Sequence, residues 1–180
     1  MHVLVTRRLT LRQPAQPDAE DIALWLSNRA VARMLARVPH PYFRKDAEDW
    51  IDSVSGWPDA LVYTIHRERL IGVVSVIDSG GGPALGYWLG EAWHGHGFMT
   101  EAANALLTHA FASQDIDAVG SSAFVDNPAS LRVQQKLGFR ITGQKRVWSR
   151  SRAAPVNAWT TRLTAAAFSG TMDATRRAAA

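Results

Sequence analysis

Gly86-Tyr-Trp-Leu-Gly-Glu-Ala-Trp-His-Gly-His-Gly-Phe-Met-Thr-Glu-Ala102 reads as strand, glycine loop and helix start in immediate succession, an order that builds a cradle for an anion. Gly95 and Gly97 can take backbone angles closed to other residues and carry no Cβ to hold a ligand away. A helix that starts directly afterwards adds unpaired N–H groups and the positive end of its dipole, which favours a phosphate or pyrophosphate. The dipole contributes only about 0.3 to 1 kcal/mol, whereas micromolar binding requires about 8. Direct hydrogen bonds, each worth roughly 1.5 to 3 kcal/mol to a charged partner, must supply the rest, and a loop of this length offers three or four amides.

Two other glycine-loop readings fail on the residues present. A nucleotide-hydrolase phosphate loop ends in Gly-Lys-Ser/Thr, whereas Phe98-Met99 follows Gly97. A dinucleotide fingerprint needs a third glycine where Thr100 stands. The remaining alternative is a plain flexible turn, and the rest of the chain decides against it.

Met99, Ala102, Ala103, Leu106, Leu107, Ala110 and Phe111 form an unbroken apolar stripe of helical period, which predicts a helix lying on a sheet. Ala118 to Val125 reads as a short strand. A second helix follows with its boundaries written out: Asn127 at the N-cap, Pro128 at N1, Gly138 at C′ and Phe139 closing the cap. Elsewhere, Leu9 to Gln13 alternates as a strand, Asp18 caps a helix through Leu26, and a broken helical stretch covers Ala30 to Ala36. Residues 45 to 54 read as a helix, Leu61 to His66 and Leu70 to Ile77 as a hairpin turning at Arg67 to Arg69, and Leu85 to Leu89 as a strand. Arg140 to Val147 and Asn157 to Leu163 give two more strands joined by a basic loop, and Thr164 to Ala180 reads as a frayed tail. The order predicts an α+β protein, mixed in its elements, with helices on both faces of a sheet.

Tyr87-Trp88-Leu89, the loop from His94 to Met99, Thr100-Glu101-Ala102, Asn127-x-x-Ser130 and Lys136-Leu-Gly-Phe139 together resemble the GNAT superfamily of N-acetyltransferases, in its RimJ/RimL-like branch. The opening Thr6-Arg-Arg-Leu-Thr-Leu-Arg12 with Asp18-Ala19 is similar to that branch too, so the resemblance runs from about residue 6 to 164. It implies a central, mostly antiparallel twisted sheet of about seven strands, splayed between the fourth and fifth, in a single domain over residues 1–164 with a flexible tail over 165–180. Acetyl-CoA is the implied co-substrate. Its cofactor-binding residues carry over as Tyr87, Trp88, Leu89, Gly95, His96, Gly97, Phe98, Met99, Thr100, Asn127, Ser130 and Arg132, and its catalytic ones as Ser130 (general acid), Asn127 and Leu89 (oxyanion donor). Arg132 and Lys136 are candidates for the 3′-phosphate. Against the family's loop pattern, His94 stands in the first place, and Met99 in the last place could narrow the approach of the pyrophosphate.

An amine acceptor must lose a proton before it attacks a thioester, the carbonyl oxygen then gains charge, and a thiolate of pKa about 8.5 departs. For the base, Asp78, Glu91, His94 and a relaying water are all open, because Ala84-Leu85 replaces the acid often found before Gly-Tyr-Trp. Glu101 reads as a helix-start acid and Tyr87 as an aromatic wall. His94-x-His96 without a third ligand makes no metal site. Segments 30–43 and 149–155 should set acceptor specificity, and Arg146, Arg150, Arg152 and Arg162 hint at an acidic acceptor.

Length and composition fit this reading. The 180 residues, 47% hydrophobic, suffice for one core. The longest apolar run is too short to cross a bilayer, no secretory signal opens the chain, and a cytoplasmic protein without cysteine is expected. With no cysteine, transfer through a thiol intermediate is excluded. The net charge of +4 is spread along the chain, and 17 of the 20 basic residues are Arg, so a nucleic-acid partner is not indicated. The resemblance therefore predicts direct transfer to an amine in a ternary complex, by a monomer or homodimer. A protein N-terminal amine, ribosomal or otherwise, is the first acceptor; a small amine such as an antibiotic or polyamine is the second. A catalytically silent acyl-CoA-binding module is the alternative of another class.

Overall fold

The structure is a computed structural model and describes residues 3–56, 61–78 and 80–169. Its sheet is mixed and twisted, with strands β1 (Leu4–Val5), β2 (Thr10–Arg12), β3 (Leu61–His66), β4 (Leu70–Asp78), β5 (Pro83–Leu89), β6 (Ala118–Phe124), β7 (Arg140–Ser149) and β8 (Ala154–Thr164) in the spatial order β1-β2-β3-β4-β5-β6-β8-β7. Eight strands stand where about seven were expected, because Leu4–Val5 adds a short outer rung against β2. Helices α1 (Ala19–Leu26), α2 (Arg29–Ala32), α3 (Arg44–Ser55), α4 (Phe98–Ser113) and α5 (Pro128–Lys136) complete the chain.

Both faces carry helices, as the element order predicts. The stripe of α4 buries Met99, Ala102, Ala103, Leu106, Leu107 and Ala110 against Leu11, Ile65, Ile71, Val74, Val119 and Leu163. On the opposite face, Ile22 and Leu26 of α1 and Ala47 and Ile51 of α3 pack around Leu70. No helix among the described residues is long and apolar enough to cross a membrane.

The chemistry of the fold turns on β5 and β6. They run parallel but pair only at Ala84↔Gly120 and Leu85↔Ser121. Beyond those pairs β5 continues to Leu89 and β6 to Phe124 with no rung between them, so the strands diverge and leave a cleft. This is the predicted splay, moved one strand on by the extra rung at β1. On its other side β5 stays in register with β4 along its whole length, from Pro83 opposite Asp78 to Leu89 opposite Gly72.

Local signals hold with three exceptions. Helix α5 ends as its sequence predicts: Gly138 takes φ 95°, and Phe139 N donates to Gln134 O and Gly138 N to Gln135 O, a double cap. Asp18 does not cap α1. Its carboxylate accepts from Ala15 N at 2.9 Å and is gripped by both terminal nitrogens of Arg12, at 2.6 and 2.8 Å, which ties β2 to the start of the helix. The helical stretch predicted at Ala30 to Ala36 shrinks to Arg29–Ala32, held by the Asn28 cap on Ala30 N. Where a tail was expected from residue 165, residues 165–169 instead form a helical turn that buries Phe168 against Phe111; residues 170–180 lie outside the described residues.

Candidate active site

Gly95 and Gly97 adopt φ 80° and 78°, in the left-handed region that favours glycine. The first intrahelical bond of α4 runs from Glu101 N to Gly97 O, so the N–H groups of Phe98, Met99 and Thr100 have no partner within the helix. A Cβ added at Gly95 would meet nothing within 4 Å, and one at Gly97 would meet only Arg8 Nη2 at 3.6 Å. The mouth of the cradle is open and carries a cation. Met99 does not obstruct it, because its side chain is buried in the core beneath α4.

The loop is braced by rings. Phe98 lies 5.7 Å from His96 in a stacked arrangement and 6.2 Å from Trp93, while Arg8 sits 4.5 Å and Arg67 5.6 Å from the Phe98 centroid. Trp93 Nε1 is a buried donor with no partner among the described residues. The imidazoles of His94 and His96 are held apart in role: His96 stacks on Phe98, whereas His94 Nε2 meets Leu89 O at 3.0 Å.

Glu101 does more than complement a dipole. It accepts from Thr6 Oγ1 (2.7 Å), Arg8 N (2.9 Å) and Arg8 Nε (2.7 Å), tying the β1–β2 hairpin to α4 and aiming the rest of the Arg8 guanidinium at Gly97. Burial pushes its carboxyl up, and the bonds from Thr6 and Arg8 outweigh burial, so the group ends below its ordinary value. Stability from this knot is present above the ordinary carboxylate pKa of about 4.3 and is lost as the pH falls through the lower folded value. Glu101→Gln should remove about 2 kcal/mol, lowering Tm at pH 7 by about 4 to 8 °C, and the gap from the native protein should close below about pH 4. Thermal melts between pH 3 and 7 would detect this, and a constant gap would rule out the carboxylate as its source.

The two edges of β5 are unequal. Gly90 N donates to Ile71 O at 2.9 Å, which makes that opposite pair a hydrogen-bonded one; rungs alternate in an antiparallel ladder. Trp88 opposite Val73 is therefore bonded to β4, and the main-chain groups of Tyr87 and Leu89 point the other way, into the splay. Of the three residues predicted to line the arm, Trp88 has its backbone committed to the sheet and its ring among the α1 and α3 side chains. Tyr87 keeps its main chain for the cleft, as does the Leu89 N–H, the Leu89 carbonyl being met by His94.

Across the cleft, Asn127 Oδ1 accepts from Ser130 N at 3.1 Å, capping α5. Tyr87 Oη reaches both Ser130 O and Ser130 Oγ at 2.9 Å. A carbonyl only accepts, so the phenol donates to Ser130 O and the Ser130 hydroxyl donates to the phenol oxygen. Burial pushes the Tyr87 hydroxyl above the usual phenol value despite bonds to Ser130 and Gln134, keeping it neutral. Sequence reasoning missed the bolt behind this pair: Gln134, fully buried, accepts from Thr161 Oγ1 at 2.7 Å and donates to Ser122 O at 3.3 Å, fixing α5 to β6 and β8. Arg132 and Lys136 lie exposed on α5.

Other candidates are placed elsewhere. Asp78 stands opposite Pro83, at the far end of β5 from Leu89, and accepts from Gly80 N and Gly82 N, so it closes a loop and lies outside the cleft. Glu91 accepts from Asn28 Nδ2 at 2.6 Å. The four arginines do not form one patch. Arg152 is bound to both oxygens of Asp126 and to Arg33 O, and Arg150 N donates to Ala36 O, which straps the 149–155 turn to the α2 segment. Arg152's hydrogen bond holds Asp126 below the usual carboxylate range. Arg162 lies in β8 opposite Gly120, away from that strap.

A splayed strand pair facing a left-handed glycine loop at a helix start is the architecture of an acyl-group transferase. Residues 8–140 match the acetyltransferase (GNAT) domain, and the chain belongs to that family. The putative ribosomal N-acetyltransferase YdaF of Bacillus subtilis is 34% identical over 152 residues, covering 79% of this chain and 83% of its own. The ribosomal-protein-serine acetyltransferase of Escherichia coli is 33% identical over 88 residues, 47% of this chain and 49% of its own. Among solved structures, RimL, described as a ribosomal L7/L12 alpha-N-protein acetyltransferase in complex with coenzyme A, superposes with TM-score 0.79 at 22% identity, covering 91% of this chain and 98% of that one.

Proposed function

We propose that this N-acetyltransferase moves an acetyl group from acetyl-CoA to a protein N-terminal amine by direct attack in a ternary complex. The observation that carries the reading is the Leu89 main chain, turned into the splay that Tyr87 spans to Ser130 and linked through His94 to a loop with free amides. The cradle residues fit the cofactor: the amides of Gly95 to Thr100 and the Arg8 guanidinium would hold the diphosphate, Arg132 the 3′-phosphate. The bound cofactor would supply the activated thioester. Leu89 N–H would stabilise the oxyanion, Asn127 would order the α5 start and face the arm, and Ser130, turning its hydroxyl from the Tyr87 oxygen to the departing sulfur, would give that sulfur its proton.

The acceptor class follows from the weakness of the base. Glu91 is engaged by Asn28 and His94 by Leu89 O, which leaves the His94 Nδ1 edge or a water to take the proton. At pH 7 roughly one α-amine in ten is already neutral, against fewer than one lysine in a thousand, so a weakly assisted site suits the former. The YdaF relative, itself a putative ribosomal N-acetyltransferase, supports the same choice.

Release of free CoA with peptides bearing α-amines, compared with lysine-only peptides, small amines and polyamines, tests the reading. Turnover only with small amines would reassign the acceptor, and tight acetyl-CoA binding without turnover on any amine would make the chain a silent binder. Ser130→Ala should lower kcat by about ten- to a hundredfold, the low end for lost acid catalysis because a thiolate leaves readily. Tyr87→Phe should cost less and leave acetyl-CoA affinity unchanged. An unaltered kcat in Ser130→Ala would remove that residue from the mechanism.

A further inference from the structure

On the face away from α4, Gly120 and Ser122 of β6 and Thr160 and Arg162 of β8 line an open trough of about 550 Å³. Alternation puts them there, since Val119 and Leu163 between them lie in the core under α4. Arg140 stands directly opposite Arg162, and Lys145, opposite Ala158, shares their face and reaches the trough. Like charges directly opposed across strands weaken a sheet. No direct ion pair offsets this: Arg140, Lys145 and Arg162 enter none of the ion pairs formed among the described residues. Asp115 and Asp117 line the lower lip without pairing with them. Arg150 and Arg152, by contrast, are engaged within the chain.

The position of these cations relates them to the reaction centre. Through the ladder, Lys145 is level with Phe124 at the open end of the splay, and Arg162 with Ala84 at its closed end. The five steps of β5 from Leu89 down to Ala84 span about 17 Å, the length of about five extended residues. An acceptor chain entering from this face with its amine at Leu89 would lie along the row.

Resting on the acetyltransferase reading above, we infer that the trough receives the acceptor's own acidic side chains, and that the preferred substrate is a protein N-terminus with carboxylates among its first five or so residues. Each carboxylate would relieve the repulsion between Arg140 and Arg162 or pair with Lys145. Binding there should respond to salt, since all three cations are solvent-exposed.

The test measures binding and turnover of two peptide sets on the CoA- or acetyl-CoA-loaded full chain: Asp or Glu at positions 3 to 5, or Gln at the same places. Acidic peptides should bind at least tenfold more tightly at low salt, lose that advantage in 0.5 M salt, where the Debye length falls to about 4 Å, and lose it in Lys145→Glu/Arg162→Glu. The charge reversal should raise KM for acidic peptides and leave kcat, CoA affinity and neutral-peptide KM in place; Lys145→Gln/Arg162→Gln gives the same order at smaller size should the reversal fold poorly. Equal affinities of the two sets, or no effect of either double variant, would overturn the inference. Acidic peptides that bind through Lys145 and Arg162 without being acetylated would uphold the trough and sink the transferase reading, whereas equal acetylation of both sets would sink the trough alone.

Discussion

Gly97→Glu should weaken acetyl-CoA binding by a hundredfold or more while leaving the protein folded. Three effects act together at one position. Gly97 sits at φ 78°, where a side chain is strained by about 1 to 3 kcal/mol; relief would rotate the Phe98 and Met99 amides away from a shared target. The new carboxylate would stand at the mouth where the diphosphate belongs, and repulsion at that range replaces hydrogen bonds worth roughly 1.5 to 3 kcal/mol each. It would also capture Arg8, whose Nη2 lies 3.6 Å from the new Cβ. Loss of two such bonds already exceeds a hundredfold, at 1.4 kcal/mol per tenfold. Gly97→Ala separates the causes: its methyl has room, so only strain remains, and about a tenfold loss is expected. Calorimetry with acetyl-CoA on both variants decides. Full affinity in Gly97→Glu would mean that the diphosphate is held elsewhere and would remove the basis of the functional reading.

The cradle was legible in the sequence because everything it needs is contiguous: two glycines, a helix start, and a stripe that fixes which way the helix faces. The same holds for α5, whose Asn127, Pro128 and Gly138 are local signals with local causes. What could not be read were contacts made across the chain. Arg8 stands 93 residues from Glu101, and nothing near Thr6 announces that this hairpin steers a cation to Gly97. Gln134 looks like an ordinary polar helix residue until the sheet places Thr161 and Ser122 against it. Asp78 and Leu89 are close in sequence order yet at opposite ends of the β4–β5 hairpin, since Asp78 closes β4 beside Pro83 while Leu89 lies at the far end of β5. The arginines failed as a cluster for a similar reason: Arg152 is consumed by Asp126, a pairing that depends on where two turns meet.

Gly72→Ala should be the most damaging single methyl in the protein, for both stability and catalysis. Gly72 lies opposite Leu89 at a rung where no hydrogen bonds hold the strands and the Cα atoms come closest. A Cβ there would stand 2.3 Å from Trp88 O, 2.7 Å from Leu89 Cδ2 and 3.0 Å from Leu89 Cα. Two of these are main-chain atoms and cannot turn aside, so β4 and β5 must part by about 1 Å to restore ordinary contact. That separation breaks rungs on either side, including Gly90 N to Ile71 O, and should cost about 3 kcal/mol, or about 6 to 12 °C in Tm for a chain of this size. It also shifts the Leu89 amide relative to Ser130, and a misplacement of about 1 Å in a positioned group costs about a hundredfold in rate. Gly86→Ala, one turn of the pleat away, is the matched control: its Cβ would meet only the Ser75 hydroxyl at 3.3 Å, which can rotate. Gly86→Ala should keep Tm within about 2 °C. If Gly72→Ala kept its Tm and its kcat as well, the close approach of β4 to β5 would not be what holds Leu89 at the cleft, and the oxyanion role would have to pass to another amide.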